Sequence, residues 1–384
     1  MWELLLLLLP VAAASGWMAA RKHYLEKKPD AIPQDYFKGL NFLLNEQPDK
    51  AVEIFINLLE VNPDTVETHL ALGHLFRKRG EVDRAIRIHQ NVIARPHLSK
   101  AQRNQALHAL ATDYLSAGVL DRSERLFLDA IDINARDLES LHNLLDIYQQ
   151  EKSWMQAIAI AKKLESATSQ SYQRNITHYY CELSEIAIQN KELGQARALL
   201  KQAFSSDKYN ARALILQSNM QADLKDYTAA IKSLTLIKDY AKEYFSETLT
   251  LLHHLHKKNH TESAFYDFLH ESLKITPCSS SALLLAQHQS KEDPQGAITF
   301  LVSFLQKNAS LNGLIYLLEL QSNFLNDQNK HQTNLLLHFL KKIASTNPKY
   351  LCQHCGFTSK TLLWLCPSCK QWNTIKPIRG LVGE

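Results

Sequence analysis

Four cysteines fall within eighteen residues near the C-terminal end: Cys352, Cys355, Cys366 and Cys369, in the pattern C-x2-C-x10-C-x2-C. Two thiolates spaced this way can grip one ion from a tight turn whose backbone N–H groups face the sulfurs. Gly356, directly after the second cysteine, permits the positive φ such a turn needs. Two turns together supply a closed tetrahedral shell of four thiolates. A closed shell is a structural site, which favours zinc, with iron as the alternative. The ten-residue separation is short, so the unit is minimal. Phe357, Trp364 and Trp372 are then expected to form most of its core, and without metal it should not fold. Four thiolates on a divalent ion leave a charge of about −2, which Lys349, Lys360, Lys370, Lys376 and Arg379 could offset.

A secreted disulfide protein would spread its cysteines through the fold, so the clustering points to a reducing compartment. The other two, Cys181 and Cys278, read as small buried hydrophobes. No catalytic set emerges. His270-Glu271 begins like a zinc-protease helix, but Lys274 stands where the second histidine is required. There is no Gly-rich phosphate loop and no Gly-x-Ser-x-Gly elbow. His253, His254, His256 and His260 lie beside Lys257 and Lys258, the pattern of a solvated helix end. Arg77, Lys78, Arg79, Arg84 and Arg87 form a basic patch without interleaved aromatics for base stacking. With a net charge of only +4 over 384 residues, nucleic acid is not expected as a partner. The patch is a solvated face or a contact for an acidic protein.

The elements that must position these residues are helical. Gly and Pro are scarce, at 11 each, and a small residue recurs as Ala51, Ala85, Ser123, Ala157, Ala196, Ala230, Ala264 and Ala297. The steps are 34, 38, 34, 39, 34, 34 and 33 residues. A period of about 34 is that of tetratricopeptide repeats, each a pair of helices. Where two helices cross closely, the backbones need Gly or Ala, with large residues beside them. Leu72-Gly73, Phe76, Ala85 and Pro96 show the unit; Gly39, Phe42, Ala51, Phe55 and Pro63 precede it, and Leu144, Leu145, Tyr148 and Ala157 follow. The two long steps predict lengthened helices or loops near 97–103 and 166–176, and a ninth pair is expected over 311–347. The fold class is therefore all-α, a tetratricopeptide-repeat superhelix ending in the small metal knuckle. Such arrays bind proteins and lack an enclosed active site.

Residues Trp2 to Ala20 carry one charge, Glu3. Nineteen helical residues reach ~28 Å, close to the hydrocarbon thickness of a bilayer. The positive charges follow this stretch (Arg21, Lys22, His23, Lys27, Lys28) rather than precede it, as a cleaved signal peptide would require. The expectation is an uncleaved transmembrane helix with the rest of the chain in the cytoplasm. The predicted organisation is thus an anchor over 1–20, a basic linker over 21–31, repeats over 32–348, and the metal-binding domain and tail over 349–384.

The anchor, the segment Arg77–Gln90 and above all Cys352–Cys369 with the tail Trp372–Gly380 resemble the lipopolysaccharide assembly protein B family of Gram-negative inner membranes. The cysteine region resembles a rubredoxin-type knuckle, although Lys370 stands where rubredoxins carry Gly, so their redox role is not carried over. The resemblance implies a single-pass inner-membrane adaptor that limits lipopolysaccharide synthesis. It would help the membrane protease FtsH degrade the deacetylase that commits precursors to lipid A, and associate with other lipopolysaccharide assembly proteins. By the same match Cys352, Cys355, Cys366 and Cys369 are the metal ligands and no residue is catalytic. A structural organiser without a proteolytic role is the alternative, and a homodimer is compatible with either.

Overall fold

The computed structural model describes residues 66–381 and 383, with 14–21, 37–39, 41–42, 47, 50–51 and 54 before them. Residues 14–21 are helical; the remainder of the expected anchor and most of the linker lie outside the described residues. No described helix is long and apolar enough to cross a membrane.

From Val66 the chain runs as sixteen helices in eight successive pairs. They are α1 (Val66–Lys78) with α2 (Val82–Ile93), α3 (Lys100–Ser116) with α4 (Leu120–Ile133), α5 (Leu138–Gln150) with α6 (Trp154–Ala167), and α7 (Gln173–Gln189) with α8 (Leu193–Ser206). There follow α9 (Ala211–Asp223) with α10 (Tyr227–Tyr240), α11 (Phe245–Lys258) with α12 (Glu262–Ile275), α13 (Ser279–Gln289) with α14 (Pro294–Leu305), and α15 (Leu311–Ser322) with α16 (Asp327–Thr346). The two long sequence steps are resolved chiefly by helix length: α3 and α7 have 17 residues where α1 has 13, an extra turn each. The last pair is present, with Gly313 buried at its start.

The turn inside the first six pairs is one repeated device. Gly80, Gly118, Lys152, Lys191, Lys225 and His260 all sit at positive φ, between 56° and 81°. In each case the next residue's N–H returns to a carbonyl five residues back, at 2.8–2.9 Å, as Glu81 does to Phe76 and Ser153 to Tyr148. This closes the first helix with its last carbonyls satisfied. Four of the six positions are not glycine, so the device is not legible as a glycine period.

The chain divides between Asn143 and Leu144, within α5, into two compact units. In the first, Ala51, Phe76, Ala85 and Ile88 are buried together with Phe42 packed against them. Gly73 is required by its neighbour: a Cβ there would lie 2.2 Å from His89 Nε2. His89 is itself fully buried against Asp113.

In the second unit the small-residue rule holds at Ala157, Ala196, Ala230 and Ala297, all with no exposed surface. It fails at Ala264, which is exposed, while the next residue, Phe265, is fully buried. Phe265 is the fourth residue of α12, the place Ala230 takes in α10. A ring therefore fills the crossing, stacking on His253 at 5.1 Å and meeting His256 at 5.5 Å. The histidine group read as a solvated helix end is in part packing material. His256 is buried, and its Nδ1 lies 2.9 Å from Thr261 Oγ1. Cys181 and Cys278 are buried as expected, and burial pushes the Cys181 thiol up to about 12.

After α16 come three short strands, β1 (Tyr350–Cys352), β2 (Thr358–Ser359) and β3 (Ile375–Pro377), in the antiparallel order β2-β1-β3. Leu351 pairs with Thr358 on one side and Lys376 on the other, and Cys352 pairs with Ile375.

Candidate metal centre

Two cysteine turns face one another, the first leaving β1 and the second closed by an antiparallel bridge between Leu365 and Trp372, and they are built alike. Cys352 N–H donates to Phe357 O at 2.7 Å and Gly356 N–H to Cys352 O at 3.0 Å; Cys366 N–H donates to Gln371 O at 3.0 Å and Lys370 N–H to Cys366 O at 2.9 Å. Gly356 and Lys370, each following the second cysteine of its turn, have φ of 77° and 57°. Lys370 therefore adopts the backbone that Gly supplies without strain, at a cost of about 1–2 kcal/mol. The turn geometry does not depend on the missing glycine.

The sulfurs converge. Cys352 and Cys369 Sγ are 3.8 Å apart, Cys355 and Cys366 Sγ are 3.6 Å apart, and all four lie within 4.8 Å of one another. Among the described residues this is the one group of three or more His, Cys, Asp or Glu with that convergence. Burial raises the Cys352 thiol, but the Thr374 hydroxyl, 3.3 Å away, and the N–H groups of Cys355 and His354 outweigh it and bring it to about 6. The Phe357 N–H acts in the same direction on Cys355. Cys369 goes the other way, to about 12, through burial and the crowding of its three sister thiols. Four sulfurs this close cannot all ionise unless a cation sits among them. Convergent donors, N–H groups aimed at sulfur and unfavourable mutual charge fit a four-thiolate metal site.

Two lysines considered as counter-charges face elsewhere: Lys376 Nζ pairs with Glu243 Oε1 at 2.7 Å, and Lys360 Nζ donates to Ser345 O at 2.9 Å.

The knuckle does not float free of the helices. Its own core is Tyr350, Cys352, Cys366 and Ile375, with Phe357, Leu362 and Leu363 beside them. Contrary to the sequence expectation, Trp372 and Trp364 mainly face the repeats. Trp372 stacks on His178 at 5.0 Å and 15°, meets Trp154 and Tyr179 edge-on, and donates its Nε1–H to Gln149 Oε1 at 2.9 Å. Trp364 packs on Tyr244 at 5.1 Å. The Tyr244 hydroxyl donates to Asn373 Oδ1, Tyr350 OH donates to Glu247 Oε2 at 2.8 Å, and Leu311 N–H donates to Leu381 O at 2.7 Å. A wet minimal unit cannot bury two indoles by itself, so they are buried against helices.

His178, at the centre of this seat, has no exposed surface, and neither ring nitrogen has a hydrogen-bond partner. Burial, then the charges of Arg212, Arg174 and Lys376, lowers it to about 3. It is a neutral aromatic plate. Nothing in the sequence marks His178, Tyr244 or Gln149 for this role, because their partners lie 120 (Tyr244 to Trp364) to 223 residues away.

Helix pairs of this period, followed by a four-thiol knuckle, define a tetratricopeptide-repeat protein with a C-terminal rubredoxin-like metal domain. A family model described as "Rubredoxin metal binding domain" matches residues 350–377, and one for the tetratricopeptide repeat matches residues 68–100. The chain is 36% identical over 389 residues to lipopolysaccharide assembly protein B of Escherichia coli (strain K12), covering 100% of both chains. It is 34% identical over 392 residues to the protein of the same name from Haemophilus influenzae, covering 98% of both. The chain belongs to the lipopolysaccharide assembly protein B family.

Proposed function

We propose that this protein is an inner-membrane adaptor that restrains lipopolysaccharide synthesis by presenting the lipid A-committing deacetylase to FtsH, with one zinc ion held by Cys352, Cys355, Cys366 and Cys369. Residues 1–20 would be the single-pass anchor, 21–31 its basic linker, 32–348 the binding array facing the cytoplasm, and 349–384 the metal domain. The observation that carries this reading is full-length similarity to relatives named for lipopolysaccharide assembly. The absence of an enclosed catalytic constellation in the sequence and the helix-pair architecture favour an adaptor over an enzyme. A tether raises the local concentration of client beside a membrane protease.

The test is metal content together with deacetylase turnover in a Cys352→Ser, Cys355→Ser pair, with the anchor intact. Loss of zinc with accumulation of the deacetylase supports the reading. Loss of zinc with normal turnover would leave the metal domain as a stabilising part only. Removal of residues 1–20 should slow turnover; unchanged turnover would remove tethering from the mechanism. If turnover depends on neither the metal domain nor the anchor, an organiser of assembly enzymes becomes the better account. A visible absorption band in aerobically purified protein would replace zinc by iron.

A further inference from the structure

The last helix leaves part of its apolar surface uncovered. Leu337, Leu340 and Ala344 of α16 pack with Leu311, Ile315 and Leu318 of α15. Leu335, Leu336, Phe339 and Ile343 do not: each keeps 48–56% of its surface exposed. At ~100° per residue these four share one arc of about 100°, and that arc runs on from the one facing α15. The apolar side of the helix is thus about 200° wide, and α15 covers only half of it. Phe324 and Leu325, in the turn before the helix, are exposed as well. A contiguous exposed apolar face marks a contact.

The charge around this face has one sign. Residues 328–349 hold Lys330, Lys341, Lys342 and Lys349 with His331 and His338, and neither Asp nor Glu. Lys342, His331 and His338 are exposed and border the arc on the side away from α15. Glu319 of α15 meets one of the lysines, Lys341, at 2.6 Å. A second copy docked here about a two-fold axis would face Lys342 with a stretch of helix that has no carboxylate, so charge opposes self-association. The face is also a ridge. The hollow beside α16 is lined by Lys341, Ala344 and Ser345 and by none of the four apolar residues. A partner helix needs a groove to lie in, whereas a fluid apolar phase closes over a ridge.

We propose that α16 lies on the anionic lipid surface of the membrane. Leu335, Leu336, Phe339 and Ile343 enter the boundary between headgroups and acyl chains, and Lys342 meets anionic headgroups at its edge. Leu and Phe on one face with Lys beside them is the composition of an interfacial helix. Lys330 and Lys341, on the far side of the same helix, still lie within about a Debye length of that surface. The proposal rests on the reading of residues 1–20 as an anchor, which would hold α16 within reach of the bilayer.

The test uses the full chain with p-benzoylphenylalanine in place of Phe339, reconstituted in vesicles of phosphatidylethanolamine with about a quarter phosphatidylglycerol, and in parallel in phosphatidylcholine. Mass spectrometry after irradiation reads the adducts. Residue 339 should give at least tenfold more lipid adduct than the same probe at Ile275, which is 67% exposed at the end of α12. Leu336→Glu with Ile343→Glu should lower the yield tenfold or more. Lys342→Glu with His338→Glu should lower it at least threefold in the anionic vesicles and leave it unchanged in phosphatidylcholine. Unchanged metal content and circular dichroism in each variant establish that the fold is intact. Equal yields at 339 and 275, or a yield that survives either pair, overturns the proposal. So does a protein adduct in place of lipid, to a second copy in the vesicles or to another protein when the same chain is irradiated in cell membranes. Flotation separates this proposal from the anchor reading. A chain that floats with the vesicles after a carbonate wash but gives no lipid adduct at 339 overturns the proposal alone, and a chain that does not float overturns both.

Discussion

The two units use the same helix pair but finish their first-helix faces differently. In residues 144–384 that face is covered by the chain's own C-terminal part: Trp372 on His178, Trp364 on Tyr244, and Leu381 O accepting from Leu311 N–H. In residues 66–143 it is a polar groove over a buried His89–Asp113–Arg77 network. Apolar aromatic area has been satisfied within the chain in one unit, whereas polar and charged side chains line the face in the other. A repeat array can thus cover its first-helix face with its own chain in one stretch and line it with polar side chains in another.

The largest expected effect on this contrast is from Trp372→Ala. Truncating a buried indole costs about 3–5 kcal/mol, and here the loss falls on the seat. Limited proteolysis should cut the variant near residues 346–350 while the metal content stays at the wild-type level. If metal is lost as well, seat and metal site form one folding unit and the contrast must be redrawn.

Acid should also separate the units. His178 is held at about 3 against an ordinary value of 6.5. A histidine lowered in the folded state binds a proton more readily when unfolded, so stability falls as pH drops below about 6.5 and continues to fall until about 3. At pH 4 the loss from this group is about 3 kcal/mol, at about 1.4 kcal/mol per pH unit. Denaturant midpoints between pH 7 and 4 should fall less steeply in His178→Phe than in wild type. Equal slopes would assign the acid sensitivity to other groups, the cysteines among them.

In the first unit, Gly73→Ala drives a Cβ into the locked His89 ring. Overpacking of this kind costs about 1–3 kcal/mol. Thermal unfolding should show the first unit destabilised with metal content unchanged, and a wild-type melting profile would mean that the ring can yield. The smallest effect is at Lys370, where φ is 57°. Lys370→Gly should stabilise the knuckle by up to about 1 kcal/mol, read as slower metal transfer to a chelator, with the strain relief partly cancelled by the greater freedom of glycine in the unfolded chain.

Much of this was legible in residue spacing. The thiol pattern Cys352–Cys369 needs only two turns and one antiparallel pairing, and both are local. The small residues at 85, 123, 157, 196, 230 and 297 mark helix crossings because backbone approach admits few residue types. The same rule misplaced one crossing, at Ala264, since a neighbouring phenylalanine can fill the space once histidines on the partner helix pack around it. The left-handed turns at Lys152, Lys191 and Lys225 were hidden, because hydrogen-bonded helix closure imposes that backbone on residues that do not advertise it.

The repeat period, the helical class and the identity of the four converging sulfurs follow from residue order, because all are consequences of interactions between residues close along the chain. That Trp364 and Trp372 pack mainly on helices rather than on each other emerges from the folded arrangement. It alone matched His178 to an indole 194 residues further on and paired Arg77 with a buried carboxylate. Those outcomes rest on which surfaces meet when distant segments exclude water together, and no local pattern encodes that.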